Sequence, residues 1–243
     1  MKKVRQITLL MLLLCLISST INAQSWGKGI KGEGPIVTKE LDIDAFTGIH
    51  LTTSADIYIK QGSTQKVTIE AQQNIIDLVK TSVKGKTWKI GYEKNVREAK
   101  SVKFYITLPT VTNLGVSGSG SVQTDGRFTG LDDLDVHISG SGDVKADVEA
   151  GDISTHISGS GDVSLAGSAN SHDIHISGSG DVESYRLQTE NCDVHISGSG
   201  ECEIYVKSKL DVAISGSGDV SYKGDPGSVR SKVSGSGDVQ SKG

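Results

Sequence analysis

Four histidines, His137, His156, His175 and His195, recur at nearly equal spacing, and each is followed by Ile-Ser-Gly-Ser-Gly; His50 holds the matching place in Ile49-His50-Leu51. Neutral imidazole is a good transition-metal ligand, and its charging near pH 6 would set like charges in a row. Aligned histidines therefore read as a metal or pH-responsive strip. Rungs one strand spacing apart, ~4.8 Å, cannot all converge on one ion. Repeat duplication alone also yields a solvent-facing ring ladder, so both readings stand at this point.

A second column is acidic. Asp143, Asp162, Asp181, Glu201, Asp219 and Asp238 each stand directly after a Ser-Gly-Ser-Gly. Stacked carboxylates repel unless neutralised, and hard cations want oxygen ligands, which raises calcium as a cofactor. The glycine-rich nonapeptide of calcium-binding β-rolls has its acid one residue later and half the period. The alternative is an Asx-type cap, each carboxylate accepting backbone amides at its corner. Cys192 and Cys202 lie five residues before and after Ser197, both at inward parity. An exported chain permits a disulfide between them. Facing sheets stand ~10 Å apart, however, while a bridge needs Cα atoms within ~7 Å, so a bridge and two small buried side chains both remain open.

No catalytic residue is expected: every candidate Ser belongs to the turn repeat, and no singular Ser/His/Asp constellation stands apart from it. A polysaccharide lyase or hydrolase would need an asymmetric cluster of carboxylates with a basic residue in a groove. Arg97, Arg127, Arg186 and Arg230 share no repeat slot. Trp26, Trp88, Tyr185, Tyr205 and Tyr222 are the aromatics that sugar stacking would use, although Tyr222 falls at an inward parity.

The elements that must position these residues follow from the repeat. Ser-Gly-Ser-Gly starts at Ser117, Ser139, Ser158, Ser177, Ser197, Ser215 and Ser234, a period of about 19 residues. Alternating pairs such as Val136/Ile138, Ile174/Ile176 and Val194/Ile196 precede the corners, and an acid followed by Val144, Val163, Val182, Cys202 or Val220 comes after them. A strand, a tight corner and a second strand in so short a unit leave no room for a crossover helix. The unit suits one coil of a parallel β-helix, stacked so that a column of Val and Ile is buried. The corner glycines are expected to supply positive φ.

Before Ser117 the motif is diversified: Ile49 to Ile57 aligns with Val136 to Val144. Alternation predicts strands at Lys66–Ala71, Thr87–Tyr92 and Val102–Leu108 and a helical turn at Asn74–Val79. About ten coils are expected in one domain over residues 35–243, diversified over 35–115 and regular over 116–243. With 3 Phe and 2 Trp, the core is expected from Val, Ile, Leu and Ala. Lys2, Lys3 and Arg5, then the apolar run Ile7–Ile17 and Ile21-Asn22-Ala23, have the pattern of a signal peptide over residues 1–23. A flexible N-terminus over 24–34 follows. Cleavage leaves 22 Lys and Arg against 29 Asp and Glu, so nucleic acid is not an expected partner. No stretch reaches the ~18 apolar residues of a membrane helix.

The exported start, Ala55-Asp56-Ile57, the Leu108-Pro109 step and the serial Ser-Gly-Ser-Gly-Asp-Val corners together resemble the head GIN domain family of autotransporter adhesin heads. The resemblance implies an all-β, right-handed, single-stranded parallel β-helix of the pectin-lyase-like superfold. It also implies an absence of catalytic residues and a role in adhesion to a surface glycan or extracellular-matrix protein, with a homotrimer as one arrangement. The expected place is the cell surface, outer membrane or periplasm of a Gram-negative envelope. The competing readings are a polysaccharide-active enzyme and a divalent-cation-binding envelope protein.

Overall fold

The computed structural model describes residues 29–243; the expected signal segment and Trp26 lie outside the described residues. In chain order the elements are β1 (Ile30–Lys31), β2 (Ile36–Leu41), β3 (Gly48–Leu51), β4 (Asp56–Gln61), β5 (Lys66–Gln72), α1 (Gln73–Ile76), β6 (Val83–Lys84), β7 (Thr87–Ile90), β8 (Val96–Glu98), β9 (Lys103–Leu108) and β10 (Asn113–Val116). Longer strands follow: β11 (Ser121–Ile138), β12 (Asp143–Ile157), β13 (Val163–Ile176), β14 (Val182–Ile196) and β15 (Glu201–Gly216), then β16 (Asp219–Lys223), β17 (Ser228–Gly235) and β18 (Val239–Ser241).

From β10 onward every pairing is parallel and joins one coil to the next. The inward residues stack by kind. Val144, Val163, Val182, Cys202 and Val220 share one buried column, and Ile138, Ile157, Ile176, Ile196 and Ile214 share another. Burying each such Val or Ile stabilises by roughly 1.5–3 kcal/mol, and only a neighbouring coil can provide the cover.

The corners stack because they carry no side chain where the next corner passes. A Cβ on Gly159 would lie 2.1 Å from the Gly140 carbonyl oxygen, and one on Gly178 2.2 Å from that of Gly159. The ladder continues through this contact, Ser160 N donating to Gly140 O at 3.0 Å and Ser179 N to Gly159 O at 3.1 Å. The expected positive φ holds among the corner glycines only at Gly216 and Gly235. Close approach of backbone, not left-handed conformation, fixes glycine in the rest.

The structure is a β-solenoid of about 7 turns with a ~19-residue period, fewer than the ten coils expected. The difference lies in the first half, where β5 runs antiparallel to both β2 and β9, and β6 antiparallel to β7. β7 and β9 pair in parallel with β3 and β4 as a further rung, whereas β2, β5 and β6 cover the end of the stack and add no coils to it. The predicted strands and the helical turn appear as β5, β7, β9 and α1. The core is chiefly Val, Ile, Leu and Ala, as expected, and at this end it takes in three aromatics as well: Phe46, Trp88 and Phe104 are buried and packed together, with ring centroids 5.5 and 5.7 Å apart. Within the 24–34 segment, Ile30 and Lys31 pair with β8, and Gly32 N donates to Glu98 O at 2.7 Å.

Candidate functional site

The parallel register sets the histidines on one outward column. Its rungs run Lys89, His50, Gly115, His137, His156, His175, His195, Ala213, Lys232. The ladder is therefore continuous over His137, His156, His175 and His195 and is broken before His50 by Gly115. His50 folds over that glycine, where a Cβ would meet Nδ1 at 2.6 Å, and its Nε2 lies 2.5 Å from Ser117 Oγ. Partial burial, with Lys89 and His137 adding to it, lowers the His50 pKa.

The rungs are not uniform. Ring centroids of His137 and His156 stand 6.4 Å apart, those of His156 and His175 5.0 Å edge-on, and those of His175 and His195 4.9 Å and stacked. Residues two apart on a strand share a face, so Asp173 and Asp193 flank the last two rings. Asp173 Oδ1 is 3.2 Å from His175 Nε2, and Asp193 Oδ1 is 3.6 Å from His195 Nδ1. Asp173 was not singled out from the sequence, although the Asp-x-His spacing carries the signal. Where Ala213 replaces the next ring, a depression of about 410 Å³ opens, lined by His175, His195, Ala213 and Lys232 among others.

The acidic column is a run of inter-coil caps. Asp143 Oδ1 accepts the Asp162 amide at 3.3 Å, Asp162 that of Asp181 at 3.1 Å, Asp181 that of Glu201 at 2.7 Å, and Asp219 that of Asp238 at 2.8 Å. These four carboxylates each accept a donor of the next coil, whereas Asp238 accepts the amide of its own Val239 at 2.8 Å. Cys192 and Cys202 are buried free thiols. Burial raises both pKa values, and each thiol is also within electrostatic reach of carboxylates, Asp193 for Cys192 and Glu203 for Cys202. Beside Cys192 in register, His172 is buried and pushed down to about 3 by desolvation, with Nε2 2.9 Å from Thr155 Oγ1.

The arginines stay dispersed. Arg127 pairs with Asp147 at 2.6 Å, and Arg230 lines the second depression beside Ala213 with Asp193 and Asp211. Arg97 lines a polar groove of about 780 Å³ with Asp56, Glu93 and Glu98. Two of those acids are engaged: Asp56 by Ser121 Oγ at 2.9 Å and Glu98 by Lys31 at 3.0 Å. Among the aromatics, Trp88 is fully buried and unavailable to a ligand, its indole donating to Lys80 O at 2.8 Å. Tyr185 lies under Lys223, 4.4 Å from ring to ammonium, and Tyr222 packs on the core. Sequence reasoning missed the pair of half-buried Tyr58 and exposed Tyr105, stacked at 5.3 Å through strand register and not through any period.

Residues 45–226 match a family described as "Putative auto-transporter adhesin, head GIN domain". A "putative adhesin" of Bacteroides fragilis is 26% identical, with TM-score 0.81 over 88% of this chain and 100% of that one. A "putative lipid binding protein" of Parabacteroides distasonis shares the fold at 23% identity and TM-score 0.72, covering 89% of this chain and 100% of that one. A "putative adhesin" of Parabacteroides merdae does so at 21% identity and TM-score 0.68, covering 88% and 99%. No curated protein matches the chain.

Proposed function

The chain belongs to the head GIN domain family, and on that premise we propose that it is an exported, non-catalytic binding protein that engages surface ligands through its repeated outward columns. The observation that carries this reading is the in-register histidine face, where the same side chain recurs on four successive coils. A turnover site needs one constellation placed once; a column offers several equivalent weak contacts, whose avidity multiplies on a polymeric ligand. Glycans and extracellular-matrix proteins are ligands of that repetitive kind. The adhesin-like family and the adhesin at 26% identity support the same class. No described helix is long and apolar enough to cross a membrane, and export rests on the residue pattern of positions 1–23.

Binding to arrayed glycans and matrix proteins tests the proposal, run with calcium and with chelator. A selective, saturable hit with the ligand recovered unchanged is the expected result. Consumption of a polysaccharide would overturn it and turn attention to the Arg97 groove.

A further inference from the structure

The two ends of the histidine ladder differ in a way that duplication alone does not require. At the His195 end two imidazoles are stacked, and Asp173 lies beside them on the same face. Asp173, His175 and His195 each offer one donor atom, and the three atoms lie within 4.8 Å of one another. Among the described residues they are the group of three His, Cys, Asp or Glu donors gathered this closely. His156 lacks the arrangement, because Ser154 stands two residues before it and its ring meets His175 edge-on.

We propose that Asp173, His175 and His195 form a binding site for a divalent transition metal of the zinc class. The donor chemistry selects the class: two imidazoles with one carboxylate suit zinc, cobalt, nickel or copper, whereas calcium and magnesium want oxygen throughout. Donors around a tetrahedral zinc stand about 3.4 Å apart; Asp173 Oδ1 and His175 Nε2 already stand 3.2 Å apart, and all three side chains are roughly half exposed. Asp193 Oδ1, 3.6 Å from His195 Nδ1, adds a second carboxylate beside the site.

Three protein ligands leave the coordination sphere open, as in zinc sites that take an external ligand. His175 and His195 also line the depression at Ala213, whose wall carries Lys232. A cation beside a metal opposes a second cation and favours an anion, so an anionic group on the bound partner would complete the sphere. The site is independent of the adhesin reading, since metal binding is read directly.

The test uses the protein without a histidine tag, titrated with cobalt(II) by visible absorption and with zinc(II) by calorimetry. One equivalent is expected. His175→Ala and His195→Ala each should weaken binding by at least about 100-fold and Asp173→Asn by about 10–100-fold, while His137→Ala should change it less than about twofold. Melting curves of the four variants confirm folding. Absence of saturable binding would overturn the proposal. So would equal weakening by His137→Ala, which would make the ladder a diffuse strip.

Discussion

In residues 116–243 the same contact is made again and again, whereas in residues 30–115 each contact is made once. A corner in the second half is held by a carboxylate cap such as Asp162 on the Asp181 amide, and its neighbours repeat that bond. In the first half, single glutamines stitch loops together. Gln65 donates to Ile43 O at 2.8 Å and accepts from Phe46 N, and Gln61 donates to Pro109 O and Thr129 O. The antiparallel strands and the Phe46–Trp88–Phe104 cluster close this end of the stack. By contrast β17 is exposed along its whole length, with Val229 and Val233 open to solvent. Repetition spreads stability over many equal parts and leaves the outward columns free to vary; the single-copy end anchors the register.

The largest effect that would test this contrast is Trp88→Ala, which removes a fully buried ring and the donor to Lys80 O. Urea unfolding should show a loss of about 3–5 kcal/mol, and a loss below about 1 kcal/mol would break the contrast. Next is acid. His172 is neutral and buried, about 3 in the fold against 6.5 for an exposed histidine. The unfolded chain therefore takes up the proton first. The contribution is complete above about pH 6.5 and is lost as pH falls toward 3, on the order of 5 kcal/mol in all. The paired variant His172→Leu/Thr155→Val should flatten that part of the stability profile.

Smaller effects belong to the repeat. Gly159→Ala places a Cβ against the Gly140 carbonyl and should cost about 1–3 kcal/mol in the same measurement. Asp162→Ala frees the Asp181 amide and should cost about 1 kcal/mol, since seven turns share the load. His156→Ala, on an exposed rung, should stay within about 0.5 kcal/mol of the parent by thermal melting.

The repeated half was legible because each residue's role is printed several times. The period places His137, His156, His175 and His195 on one column, and Asp143, Asp162, Asp181 and Asp219 do cap backbone amides, although of the next coil and not of their own corner. Apart from Gly216 and Gly235, the corner glycines are fixed by the carbonyl stacked against them, which sequence does not show; it shows only a residue without a side chain. In the first half, alternation located β5 and β9 but could not choose their partners. An antiparallel neighbour and a parallel coil bury the same face, and the choice is tertiary. Tyr58 and Tyr105 met through that pairing, with no period to announce them. Asp173 carries its signal in the Asp-x-His spacing, but Asp135 and Asp193 share that spacing, so it does not by itself mark one rung.

The most direct test replaces one, two and then four ladder histidines by Ser and measures affinity, in chelator, for the arrayed ligand that the parent protein binds best. Binding through a column predicts a stepwise fall with each replacement and a ligand recovered intact. Complete loss on the first replacement, an affinity unchanged after the fourth, or a cleaved ligand would contradict it.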